Sequence, residues 1–100
     1  MAHGSTWTRE QHRYLIVMKL GTNYFWREIA DRFRAKFPKT TVTGKDCESK
    51  FNKELKFVDE RFWVENFKRD GSIPEGDDAG GVIGLLVLWL GELPLEDREL

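Results

Sequence analysis

The 100-residue chain has one cysteine, three prolines and two histidines, and no apolar stretch of membrane-spanning length. A lone Cys47 excludes an internal disulfide framework and a cysteine-based zinc site. His3 and His12 are too sparse to add a metal site, and neither a metal nor another cofactor is expected. The run Val82 to Leu90 falls far short of the roughly 20 apolar residues that cross a bilayer. Met1 to Thr6 has neither the positive start nor the apolar core of a secretory signal. A soluble chain is therefore expected. The sequence also lacks a nucleophile set beside a base, a glycine loop for phosphate and a carboxylate pair with a visible pocket, so catalysis is not expected.

What is present is globular in balance, 40% hydrophobic and 33% charged, and long enough for one domain with a modest core. The net charge of -1 hides an asymmetry. Residues 1–58 carry 12 Lys+Arg against 6 Asp+Glu, and residues 59–100 carry 4 against 11. A basic half of this kind commonly faces nucleic acid, with an acidic segment attached. Solvated surface of uneven sign is the plainer alternative.

Thr8 followed by Gln11 is a capping-box pattern, and Gln11, Tyr14, Leu15 and Met18 then line one face of a first helix that Gly21 ends. Thr22 and Asn23 are turn and cap candidates. Trp26, Ile29, Ala30, Phe33 and Phe37 define a second helix stopped by Pro38. Thr43 and Asp46 cap a third, whose stripe Cys47, Phe51, Leu55, Val58 and Phe62 either runs on or breaks near Asp59. Phe62, Trp63 and Phe67 belong to its end or to a short fourth helix. The expected core is Trp7, Leu15, Trp26, Ile29, Phe33, Cys47, Phe51 and Leu55, because a few bulky side chains must supply most of the buried area of so small a bundle.

The strings WTREQ (7–11), FWREIADRF (25–33) and CESKFNKEL (47–55), in this order, resemble the Myb/SANT-like family, especially its trihelix and transposon-associated branches. The resemblance covers residues 7 to 58. It implies an all-α, three-helix helix-turn-helix bundle, here with an additional C-terminal helical element, whose third helix lies in the DNA major groove. Phe51 would replace the family's third tryptophan. Glu48 and Ser49 fall where DNA-reading repeats of the family often place Asn and Lys, and a carboxylate cannot serve as the cation for a guanine edge or a phosphate.

With Cys47, Phe51 and Leu55 inward, the third helix turns Lys45, Asp46, Ser49, Lys50, Asn52, Lys53 and Lys56 outward. Its four lysines suit phosphates; Ser49, Asn52 and Lys53 suit base edges. Arg32, Arg34, Lys36 and Lys39 are candidate backbone clamps. The expected partner is double-stranded DNA and the expected role is nuclear, in transcription or chromatin regulation. The alternative is a SANT-type module that binds a histone tail or a chromatin protein, and the same lysines also fit a solvated face kept polar for solubility.

The boundaries that follow are a helical domain over 1–69, a flexible acidic Gly/Pro linker over 70–81 and an apolar-acidic tail over 82–100. Leu86, Leu90, Leu93 and Leu95 have the spacing of a leucine-rich nuclear export signal. Docking on the bundle or self-association accounts for the same tail, since an exposed run of this kind invites aggregation. Its acids can also fold back on the basic helix and compete with DNA.

Overall fold

A computed structural model describes residues 7–99. Among them the chain is all-helical, in the order α1 (Arg9–Gly21), α2 (Trp26–Lys36), α3 (Gly44–Ser49) running on into a π-helical turn (Lys50–Glu54), α4 (Asp59–Asp70), α5 (Asp77–Gly91) and a final 3-10 turn (Leu95–Asp97). No described helix is long and apolar enough to cross a membrane.

Two capping boxes start helices where side-chain chemistry calls for them. Thr8 Oγ1 accepts from the Gln11 N–H at 3.1 Å while the Gln11 side chain accepts from the Thr8 N–H at 2.9 Å. Thr43 and Asp46 repeat the exchange at 3.2 and 3.0 Å at the head of α3. Helix α2 differs from expectation. Its N-cap is Phe25, whose N–H reaches only the Glu28 carboxylate, at 3.3 Å. Thr22 instead closes α1, its hydroxyl donating to the Met18 carbonyl and accepting from the Tyr24 N–H.

Tyr14 through Met18 are five consecutive buried residues. One amphipathic face cannot account for that; α1 is enclosed because α2, α4 and α5 all pack against it. Leu15, Ile29, Phe33, Cys47, Phe51 and Leu55 lie in this core, whereas Trp7 and Trp26 are half-buried at its edge. Trp7 leans on Phe33 with ring centroids 4.9 Å apart, and Trp26 on Phe51 at 5.5 Å. The third apolar stripe breaks after Leu55. Val58 becomes the N-cap of a separate α4, which buries Val64 and leaves Phe62 on the surface.

The division into domain, linker and tail is overturned by α5. It begins at Asp77, inside the expected linker, and Val82, Ile83, Leu86, Trp89, Leu90 and Leu93 belong to the same core as Tyr14 and Phe33. A radius of gyration of 13.0 Å is that of a single folded unit of this length. Three of the four export-like leucines, Leu86, Leu90 and Leu93, are therefore buried, and only Leu95 is open to solvent.

Among the described residues, no hydrogen bond or ion pair joins the acidic end to α3. That end clasps the α1–α2 junction: Glu99 N–H donates to the Gly21 carbonyl at 2.9 Å, Asn23 N–H to the Asp97 carbonyl at 3.1 Å, and the Tyr24 hydroxyl to the Asp97 carboxylate at 2.9 Å. Arg98 turns back to the end of α5, its guanidinium donating to the carbonyls of Leu93 and Gly91. One cation among the tail's acids thus satisfies carbonyls that the end of α5 leaves free.

Candidate nucleic-acid interface

The position of α3 is set by α2. Gly44, the first residue of α3, lies so close to α2 that a Cβ on it would stand 3.1 Å from the Trp26 carbonyl carbon and the Arg27 nitrogen. Glycine permits that approach. The seven-residue connector 37–43 is pinned by Val42, wholly buried, and by Arg34, whose Nη1 donates to the Val42 carbonyl at 2.6 Å while Nη2 pairs with Asp31. Arg34 is therefore a brace for the connector, not a free cation for phosphate.

Cys47, Phe51 and Leu55 recur every four residues, and in a regular α-helix each such step would rotate the side chain by about 40°. The π turn absorbs the excess. Leu55 N–H bonds the Lys50 carbonyl at 3.0 Å, five residues back, and all three side chains stay in the core. The Phe51 carbonyl accepts from Arg61 Nη1 of α4 at 2.9 Å, and the same guanidinium lies 3.9 Å from the centre of the Phe51 ring. Burial pushes the Cys47 thiol up to about 12, with Asp46 adding to the rise, so this cysteine packs as an inert apolar residue.

Lys45, Ser49, Asn52 and Lys53 are exposed on α3 and its π turn, and Lys56 is exposed just beyond. Lys50 is not with them. Its side chain is only 10% exposed, its ammonium pairs with Glu54 at 2.8 Å and it stands 5.0 Å above the Trp7 ring. Outward-facing lysines thus number three, not four. Lys36 and Lys39 are exposed at the end of α2, Lys36 partly over the Trp89 ring, while Arg32 is half-buried against Tyr24.

Neither family models, curated proteins nor solved structures show a match to the chain.

The geometry adds one residue that sequence reasoning passed over. Arg27 is exposed in the first turn of α2, and its backbone abuts Gly44. Its place between the half-buried Trp26 and the core residue Ile29 was the available signal, because it falls on the solvent side of that helix. Among the described residues, Arg27, Lys36, Lys39, Lys45, Lys53 and Lys56 form no ion pair, and Glu48 is the exposed, unpaired carboxylate of α3 itself.

Behind this face, His12 packs against Trp7, with its Nε2 buried and without a hydrogen-bond partner among the described residues. Burial, and then the Lys50 ammonium, lower its pKa from the ordinary 6.5; Glu54 and Glu60 oppose the shift. The unfolded chain takes up this proton as pH falls through about 6.5, while the folded chain resists it. Stability is therefore full above pH 6.5 and is lost as pH falls from there through the lower folded value. Urea midpoints at about pH 7.5 and 5.5 should show the loss, and His12→Gln should flatten it; an equal loss in the variant would place the proton elsewhere. Glu54, held down by its hydrogen bond from Lys50, contributes only in the separate window below its ordinary 4.5.

Proposed function

We propose that the protein binds double-stranded DNA, with α3 and its π turn set into the major groove, as a transcriptional or chromatin-associated regulator in the nucleus. The observation that carries this reading is the outward side of that element. Lys45, Ser49, Asn52 and Lys53 face solvent on the back of a core-anchored stripe, with unpaired Arg27 beside its start and Lys56 just beyond its end. Phosphate contacts by these cations give affinity and orientation, and Ser49 and Asn52 offer hydrogen bonds to base edges. Glu48 and Asp46 fit the same placement, one able to accept from a cytosine amino group and the other spent on capping α3.

The test is titration of the whole chain against duplex DNA at several salt concentrations. Binding that weakens linearly in log[salt], with a slope of about -0.9 per phosphate contact, is the expected result. Absence of salt-sensitive binding overturns the reading.

A second reading has an observation of its own. Phe57 and Phe62, 88% and 60% exposed, flank a cleft of about 290 Å³ with Lys56, Asp59 and Glu65 at the α3–α4 corner. Exposed aromatic pairs of this kind serve protein contacts. A SANT-type module that binds a histone tail or chromatin protein would use them, and histone-tail peptides that bind while duplex DNA does not would decide for it.

A further inference from the structure

We infer that the outer face of α5 is the contact of a two-fold homodimer, in which two α5 helices cross antiparallel at Gly84. This face is apolar, unlike the lysine-bearing outward side of α3.

From Ala79 to Gly91 every solvent-facing position of α5 is apolar or glycine: Gly80, Gly81, Gly84, Val87, Leu88 and Gly91. Val87 and Leu88 are 62% and 57% exposed. Glycine weakens a helix, and nothing among the described residues requires it here. A Cβ at Gly80, Gly81, Gly84 or Gly91 would meet nothing within 4 Å. The open space therefore lies on the solvent side of α5, beside the two bulky residues.

A second copy of the same helix fills that space. In an antiparallel pair crossing at Gly84, residues equally far before and after position 84 lie level with each other. Leu88 of one copy is then level with Gly80 of the other, and Val87 with Gly81. Both contacts occur twice by symmetry, which is what an isologous interface requires. The paired bulky side chains enter the paired gaps, and Gly84 against Gly84 lets the backbones approach at the crossing.

Asp77 and Glu92 set the strength. They stand exposed at opposite ends of α5, so the antiparallel pair brings the acids of one copy near those of the other. Salt screens this repulsion. The face of a 15-residue helix, about 22 Å long, is also small beside the roughly 1,200 Å² and more of stable interfaces. The dimer is accordingly weak, and it tightens with salt while DNA binding loosens.

Sedimentation equilibrium of the whole chain over a wide concentration range tests this. The expected result is a monomer–dimer equilibrium whose dissociation constant falls with added salt and rises by about tenfold or more in Leu88→Lys. Gly84→Leu should abolish the dimer, and an unchanged helical spectrum and melting profile at low concentration would show that the monomer still folds. For orientation, Asp77→Cys chains mixed with Gly91→Cys chains should cross-link under mild oxidation, with buried Cys47 silent. A monomer at every concentration, a dimer indifferent to Leu88→Lys and Gly84→Leu, or cross-linking of Asp77→Cys chains with one another in preference to the mixed pair overturns the inference.

Discussion

Replacing Trp89 with alanine is expected to lower folding stability by about 3–5 kcal/mol, a large share of the roughly 5–15 kcal/mol that holds a small domain together. The indole is 2% exposed in the last turn of α5 and meets the Tyr14 ring edge-on, with centroids 5.1 Å apart. Tyr14 passes the contact on to Phe33 and Phe37, at 6.0 and 5.6 Å. The Lys36 ammonium also lies over the indole, 5.4 Å from the ring centre. Truncation to alanine removes the largest fully buried side chain among the described residues. It also leaves a cavity among residues from α1, α2 and α5 that rigid helices cannot close. Urea unfolding followed by circular dichroism measures it: with a slope of about 1–3 kcal/mol per molar, the midpoint should fall by one molar or more. Leu88→Ala on the exposed side of the same helix should move the midpoint little. A Trp89→Ala loss no larger than that of Leu88→Ala would mean that α5 is not part of the cooperative core.

The contrast between Trp89 and the rest of the fold shows what a sequence can disclose. Thr8 with Gln11 and Thr43 with Asp46 are local devices, complete within four residues, and both operate as their spacing suggests. The inward positions of α2 and α3 are readable for a similar reason, since a helix with one buried face writes its period into the chain. Helix α5 writes no period. Its inner side is buried and its outer side is made of Gly, Val and Leu, so polarity does not alternate. Gly80 and Gly81, which look like linker, are carried in the helix because Ala79, Val82 and Ile83 are buried around them. Tertiary burial outweighs propensity at those positions.

Lys50 shows the same limit at the candidate interface. On a helical wheel it stands outside the Cys47–Phe51 stripe. What withdraws it is Trp7, more than forty residues away in sequence, whose ring offers its stem an apolar surface, together with Glu54 one turn on. The π turn was equally hidden, because a spacing of four suits an α-helix of one period and a wider turn alike. Arg34, by its sequence a candidate clamp on DNA, is a clamp on the chain's own connector. In each case the decisive partner lies on another element, and cations with no such partner, such as Lys45 and Lys53, are the ones left for a ligand.

The difference between Lys53 and Lys50 leads to an expected result of similar size. The double reversal Lys45→Glu/Lys53→Glu should weaken duplex DNA binding by about 100-fold at low salt, since two phosphate contacts are lost and two repulsions are gained. It should also flatten the slope of log affinity against log[salt] by about 1.8, the counterion release of two contacts. Both side chains are exposed and unpaired, so folding should be unaffected. Lys50→Met should leave duplex DNA binding close to that of the parent chain. It keeps the apolar stem on Trp7 and removes an ammonium that already pairs with Glu54, leaving the salt slope where it was. It should raise the pKa of His12, because the second cause of its depression is gone. Titrations of the three proteins over a salt series, with a histidine titration by NMR for Lys50→Met, separate the two kinds of lysine. A double reversal that binds within twofold of the parent chain would remove α3 from the DNA contact, whatever else the protein binds.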